Sequence, residues 1–510
     1  MIFKFVGVAL YLGVLLFIGA LASRRMKDVK DYFAGGKSLG FWAVAFSARA
    51  TGESAWLLLG LTGLGATIGV RAFWVVLGEV LGVVGAWLLM SRRFHRLTQR
   101  YDAITIPDYL EARFRDDGKS LRLVSAGALV IFVTIYVSAQ IDATGTAFET
   151  FLGMNYFTGA LVGFGVVMAY SVSGGFLAVV WSDVFQGTLM FLGLVALPVV
   201  AWAMLPGDTL TAQLETIDPT LLSVAGAEGW TATTIAGTLS LALIGLGFLG
   251  SPQIFVRFLA LRDEKEIGKG TLVAFVWTLL ADGGAVLVGM VGRASLHQAE
   301  TAMIGKDAVL GNGGEKVLPL LVEQTMPAVL VGLYIAIVLS AIMSTVDSLL
   351  VVAASAAVRD GYQKVLNPEL KDDTLVSLSR KATLGLALVA LAMAMTVAIT
   401  SETRTIFWFV IFGWSGIAAT FCPTMILSLY WKGMTKRGAL AAMVTGFCCV
   451  PLFKFVAPLA PTVGALFKEL GELPPAFLLS ALAGIVVSRL DAAGRQAVAP
   501  VASELDEAMR

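Results

Sequence analysis

The sequence predicts an all-α integral membrane protein with about thirteen transmembrane helices, and three observations lead there. Of the 510 residues, 57% are hydrophobic and only 14% are charged, whereas soluble proteins carry about 25% charged residues. Apolar stretches of about 20 residues follow one another, with no polar stretch long enough for a separate soluble domain. Those stretches do not alternate as barrel strands do: residues 185–197 are apolar at nearly every position, which fits helices and not a spanning β-barrel. A single transmembrane domain over residues 1–490 is expected, followed by a short tail, 491–510.

Taken in order, the first apolar run, 6–22, has its basic cluster after it and not before it, so it reads as a retained helix and not a secretory signal. Arg24, Arg25, Lys27, Lys30 and Lys37 follow that span, and Arg92, Arg93, Arg96, Arg100, Arg113, Arg115 and Lys119 follow the third. Basic loops face the cytoplasm. The stretch 206–234 has no Lys or Arg but carries Asp208, Glu215, Asp218 and Glu228, as an external loop would. The N-terminus is then expected outside and the C-terminal tail in the cytoplasm, with the protein in the cell membrane.

The second span, 39–68, carries Arg49, Thr51, Gly52, Glu53 and Ser54 in mid-membrane, and the seventh, 234–258, carries Gly245, Gly247, Gly250 and Pro252 close together. Gly and Pro weaken or break helices. The offset between these spans is odd, so they enter the membrane from opposite sides, as inverted repeats do. Repeats over about 39–205 and 232–431 are expected, with the paired breaks near the binding site, because broken backbone leaves carbonyls and amides free to hold ion and solute. The span 327–358 adds a row of polar groups. Ser340, Ser344, Asp347 and Ser348 follow helical spacing along one stripe, beside Thr345. A carboxylate at bilayer depth costs roughly 2.5 to 3.5 kcal/mol even on the mild insertion scale, so the stripe should face inward as part of a cation site. The bland alternative has each hydroxyl bonding its own helix and the acid pairing with another buried group.

Other chemistries find little support. Cys422, Cys448 and Cys449 fall in apolar segments and read as small hydrophobes. His95 and His297, the only histidines, show no zinc-ligand spacing. The GxGxxG match from Gly245 to Gly250 lacks the strand and soluble βαβ unit of a dinucleotide site. No nucleophile and base pairing is apparent, so no enzyme activity is expected, and the basic residues are accounted for by topology and not by nucleic acid.

At these residues the chain resembles the sodium/solute symporter family, most closely its sodium/proline branch. The residues that carry the resemblance are Asp31-Tyr-Phe-Ala-Gly35-Gly36-Lys-Ser-Leu-Gly40, Gly174-Gly175-Phe-Leu-Ala-Val-Val-Trp181-Ser-Asp183, Gly250-Ser-Pro252-Gln-Ile-Phe-Val-Arg257-Phe, Met343-Ser344-Thr345, Phe421-Cys-Pro423, and Trp431-Lys-Gly-Met-Thr-Lys-Arg437-Gly-Ala. The resemblance implies a LeuT-type fold with an extra N-terminal helix and sodium-coupled import of a small organic solute, proline or another amino acid. It implies a first sodium site from the carbonyls of Ala50, Glu53 and Ala341 and the hydroxyls of Ser344 and Thr345, hard oxygens suited to a hard cation. For a second sodium it points to Asp183, Asp347 and Ser348 together with Ser344, and the candidate solute contacts are Ser54, Trp56, Gln140, Phe248, Trp408 and Trp414. Gly52 stands where that branch has an acid, and Ile244 and Phe248 stand where it has larger polar-tipped rings, which bears on the solute. Two rival functions are a proton-coupled transporter with Glu53 or Asp347 as carrier and a membrane sensor that binds solute without moving it.

Overall fold

Helix follows helix along this chain because apolar spans leave the backbone no hydrogen-bond partner but itself. The computed structural model describes residues 2–23, 37–171, 175–205, 207, 209–301, 309–401 and 403–509. Arg24, Arg25, Lys27, Lys30, the first part of the motif at 31–40, Gly174, Pro206 and Asp208 lie outside the described residues. Helix α1 (Ile2–Ser23) precedes α2 (Phe41–Ala55), which continues through a wider π turn, Trp56–Leu61, into α3 (Thr62–Ile68). Then come α4 (Phe73–Gly85), α5 (Arg92–Arg100), α6 (Ile106–Phe114), α7 (Ser120–Leu152), α8 (Tyr156–Ser171) and α9 (Phe176–Ala203). The second half holds α10 (Ala232–Ala242), α11 (Pro252–Ala260), α12 (Ile267–Thr301), α13 (Ala328–Ser355), α14 (Asp372–Thr400), α15 (Ile406–Tyr430), α16 (Lys436–Pro451) and α17 (Leu473–Leu490).

Among the described residues eleven runs are long and apolar enough to cross a membrane, fewer than the sequence suggests. The difference has two sources. Phe41–Arg100 is one run of 60 residues, about 90 Å of helix against a hydrocarbon core of about 30 Å, so it must double back. It does so at Gly69, whose φ of +58° is left-handed and whose missing side chain lets the carbonyl of Leu221 approach. Tyr156–Met168 is apolar but short.

Helices α13 and α15 form the centre, with 83% of their most apolar windows buried, whereas α1 and α14 are 22% buried and lie at the periphery. The extra N-terminal helix seats on α13 and α9: a Cβ on Gly7 would meet the backbone of Gly332 at 2.7 Å, and Gln186 Nε2 donates to Tyr11 Oη at 2.9 Å. A short parallel bridge joins Leu39 to Leu261, tying the start of α2 to the end of α11 through Leu39 N to Ala260 O (3.0 Å) and Arg262 N to Leu39 O (2.9 Å). The two helices expected to be broken are thus linked at one end. Cys422 and Cys449 are buried and Cys448 is exposed, all three as free thiols.

Small residues set the closest helix approach, as is common in membranes. A Cβ on Gly245 would lie 1.9 Å from the carbonyl oxygen of Gly78, while one on Gly13 would meet nothing within 4 Å. Gly245→Val should therefore lower the thermal unfolding midpoint in detergent, with an overpacking cost of at least about 1–3 kcal/mol, and Gly13→Val should leave it unchanged. Equal midpoints for the two variants would contradict this packing.

Candidate functional site

The break in the second span falls at Ser54, inside the stretch the sequence marks. Ser54 has φ 54° and ψ −166°, a left-handed conformation that costs a non-glycine residue about 1–2 kcal/mol. The surroundings hold it there. Gln140 on α7 accepts from Ala55 N through Oε1 (3.1 Å) and donates to Ser54 Oγ through Nε2 (3.2 Å). Trp56 folds back so that Nε1 donates to the carbonyl of Gly52 at 3.1 Å. Ser54, Trp56 and Gln140, three candidate solute contacts, are therefore together, and all are buried.

In the seventh span α10 tightens into a 3-10 stretch, Leu243–Leu249, before the chain leaves helical geometry at Gly250 and restarts at Pro252. Phe248 from this stretch lies against Gly52, where a Cβ would come within 2.8 Å of its ring. Glycine at position 52 is what admits this ring. Trp414 on α15 packs on Phe248 with centroids 5.0 Å apart and donates to the carbonyl of Ile244 at 3.0 Å. Trp408 does not join them. One helical step from the buried Phe407, it is 37% exposed, and Lys454 lies 5.8 Å from its ring. Phe407 takes the inward place, edge-on to Trp56 at 6.0 Å.

The hydroxyl row of α13 faces the unwound part of α2. Ser344 Oγ donates to Ala50 O (3.0 Å) and is within 3.2 Å of Ala341 O, while Thr345 Oγ1 donates to Thr51 O at 3.2 Å. Ser340 follows the bland reading, bonding back to Ala336 O at 2.8 Å, and Ser344 does so in part through Ala341 O. Ala50, Ala341, Ser344 and Thr345 thus bring neutral oxygens together, the donor set a hard monovalent cation selects. Glu53 lies in the same turn of α2, with its side chain drawn to Arg49.

Asp183 and Ser348 also meet, but around a guanidinium. Arg257 Nη2 on α11 donates to Asp183 Oδ2 (3.1 Å), Thr51 Oγ1 (2.7 Å) and Ser348 Oγ (2.5 Å), and its Nε donates to Ser47 Oγ at 3.1 Å. Asp347 turns Oδ1 to Ser348 N at 2.7 Å. A second buried cation, Arg49, pairs with Glu53 and lies 3.6 Å from Glu79 Oε2 and 3.5 Å from Asp282 Oδ2. The three acids come within 4.8 Å of one another and all are buried, so one guanidinium serves three buried carboxylates.

Two ion-pair networks lie on α7, about 30 Å apart by helical rise. Near its start Arg122 binds Asp108 (2.7 Å), Glu111 (2.5 Å) and Asp360, and Arg359 adds a contact to Asp108 at 2.9 Å. Burial opposes the charge on Asp108, but Arg359 and Arg122 outweigh it and hold the carboxyl down to about 2. Its contribution to stability is complete above the ordinary value near 4 and is lost as pH falls toward about 2. Farther along, Asp142 binds Arg404 at 2.9 Å and accepts from Tyr156 Oη at 2.5 Å.

The family model of the sodium:solute symporter family matches residues 32–446. The chain belongs to that family. It is 37% identical to the high-affinity proline transporter PutP of Bacillus subtilis, over 97% of this chain and 100% of that one. It is 32% identical to the sodium/proline symporter of Escherichia coli, over 97% and 95%. The solved structure of a Na+-coupled sialic acid symporter superposes with TM-score 0.77 at 18% identity, covering 96% of this chain and 98% of that one. The transporter MhsT with L-phenylalanine gives 0.54 at 15%, covering 88% and 98%. These last two show the LeuT-type fold alone. This symporter is accordingly a multi-pass membrane transporter and not an enzyme, and sodium is its coupling ion.

Sequence reading missed the roles of Arg49, Glu79, Arg257, Asp282 and Phe407. Four of them carry a visible signal, a charge inside an apolar span, but apart from Glu53 beside Arg49 their partners lie far away in sequence. Removing one member of a buried ionic cluster typically costs about 3–5 kcal/mol. Arg49→Met, which leaves Glu53, Glu79 and Asp282 without a counter-charge, should sharply reduce the folded symporter recovered by size-exclusion chromatography. Trp408→Ala should leave solute affinity unchanged; a large loss of affinity would return Trp408 to the solute site.

Proposed function

We propose that the symporter imports proline, with one sodium bound by the carbonyls of Ala50, Glu53 and Ala341 and the hydroxyls of Ser344 and Thr345. The observation that carries this reading is the contact between Ser344 Oγ and Ala50 O, which joins the hydroxyl row of α13 to the broken α2. A hydroxyl that donates to a carbonyl can turn its lone pair to an ion held by the same carbonyl. Sodium would then clamp α2 to α13 and order the break that forms the solute site. Ser54 and Gln140 supply polar tips for a zwitterion, and Trp56, Phe248 and Trp414 supply aromatic walls for a small apolar ring. The names of the relatives at 32–37% identity support proline.

The basic loops support an external N-terminus and a cytoplasmic tail in the cell membrane. In that orientation the network at Arg122, Asp108 and Asp360 would close the inner side and the network at Asp142 and Arg404 the outer side. Alternating access would break one while the other holds, with the repeats over about 39–205 and 232–431 moving against each other. At about 100 mV one inward charge supplies roughly 2.3 kcal/mol, and a tenfold sodium gradient adds about 1.4, enough to accumulate solute several hundredfold.

Purified symporter in proteoliposomes should take up radiolabelled proline only with an inward sodium gradient, and other amino acids should compete poorly. Ser344→Ala and Thr345→Ala should each raise half-saturating sodium roughly 10- to 100-fold, the worth of a hydrogen-bonding group on a charge. Proline affinity at saturating sodium should change little. Unaltered sodium dependence in both variants would remove the sodium site, and uptake of another amino acid in preference to proline would replace the solute.

A further inference from the structure

The end of the chain is docked against the rest of the molecule. It forms a helix, α18 (Val501–Met509), whose Val501, Leu505 and Ala508 recur at helical spacing and are at most 6% exposed. Its other side chains are acidic and meet the basic loops. Glu504 accepts from Tyr101 Oη (2.6 Å) and pairs with Arg115 (2.7 Å) and Arg100 (3.9 Å). Glu507 pairs with Arg100, and Asp506 pairs with Lys432 at 2.5 Å. The carbonyl of Ala508 accepts from Arg96 Nη1 at 3.3 Å. These partners come from three separate places: α5 with its cap at Tyr101, the left-handed cap of α6 at Arg115, and the turn after α15. Because α6 also carries Asp108 and Glu111, which bind Arg122, the helix that bears these ion pairs is itself fastened at its far end by α18.

We infer that α18 is a strap that holds the inner side shut and slows transport, and that ionic strength around it sets how firmly it holds. The inference rests on the inner network proposed at Arg122, Asp108 and Asp360. Opening that network parts α6 from Arg359 and Asp360, which follow α13. While α18 is docked, α6 cannot move alone, because Glu504 joins Arg115 to Arg100 on α5 and the nearby Asp506 holds Lys432. A nine-residue helix has little stability of its own in water, so α18 persists by docking and comes away whole. Its ionic contacts are the adjustable part. The side chains of Arg100, Arg115, Lys432, Asp506 and Glu507 are 44 to 62% exposed. Pairs this exposed weaken as salt rises, since the screening length falls from about 10 Å at 0.1 M to about 3 Å at 1 M. The buried pair of Arg122 and Asp360 is screened much less, so salt loosens the strap before it loosens the network beneath.

Proline uptake by proteoliposomes with equal KCl on both sides tests the strap. Raising KCl from about 50 mM to about 500 mM should speed uptake by the full chain roughly threefold to tenfold. A chain ending at Pro500 should be fast at both concentrations. Glu504→Lys, which puts repulsion at Arg100 and Arg115, should behave like the shortened chain, and adding Arg115→Glu should restore part of the salt response. Uptake by the shortened chain that is slow, or that follows salt as the full chain does, would overturn the inference; should that chain fail to fold, Glu504→Lys decides in the same way. A second measurement needs no solute. Ser355 lines a small cavity with Thr105 and Asp360, so Ser355→Cys with Cys448→Ser places a reporter thiol behind the inner network. At about 50 mM KCl its alkylation should be several-fold faster in the shortened chain than in the full chain. Faster alkylation without proline uptake would remove proline and keep the strap, whereas equal alkylation would overturn the strap whatever the solute.

Discussion

A helix can be broken inside hydrocarbon only where other groups take up the amides and carbonyls it releases, because water is not there to do so. The structure turns on that constraint. Gln140 caps the break at Ser54 from one side, with its carbonyl oxygen on Ala55 N and its amide on Ser54 Oγ. Ser344 and Thr345 take the carbonyls of Ala50 and Thr51 from the other. The residues that make the break tolerable are therefore among those proposed to hold the ion and the solute, so that one set of side chains would serve structure and function.

Much of this was legible because polar groups stand out against an apolar background. The row from Ser340 to Ser348 and the cluster from Arg49 to Ser54 could be placed on facing surfaces from spacing and cost alone. What spacing could not supply was the partner. Ser340 sits on the same stripe as Ser344, yet it bonds to its own helix. Whether a hydroxyl turns outward depends on whether a foreign carbonyl is close enough to receive it. Trp408 and Phe407 differ by one residue and about 100° around α15, and in a helix apolar on all sides no periodicity marks the inward face. The reversal at Gly69 was legible, since the second span ends at residue 68 in the sequence and the chain turns at the next residue.

The second sodium position shows the same division. Asp183 and Ser348 were assigned to one place, and they are in one place, around Arg257. The sequence offered these acceptors for a second sodium, and in the structure Asp183 and Ser348 accept from Arg257. The restart of α11 after the break is what brings the Arg257 guanidinium to these oxygens.

Two buried arginines on or beside the broken helices are held in different ways, and the contrast bears on movement. Arg257 is satisfied by five acceptors on α2, α9, α11 and α13, so displacing it would leave several buried groups unpaired at once. Arg49 lies between three carboxylates on α2, α4 and α12 and over the rings of Phe248 (4.9 Å) and Trp277 (5.3 Å). Its contacts to Glu79 and Asp282 are long, at 3.6 and 3.5 Å, and charge interactions at low dielectric change steeply with such distances. Arg257 therefore acts as a fixed anchor of the bundle. Arg49 instead ties α2 to α4 and α12 through looser contacts, with the ring of Phe248 packed against its guanidinium.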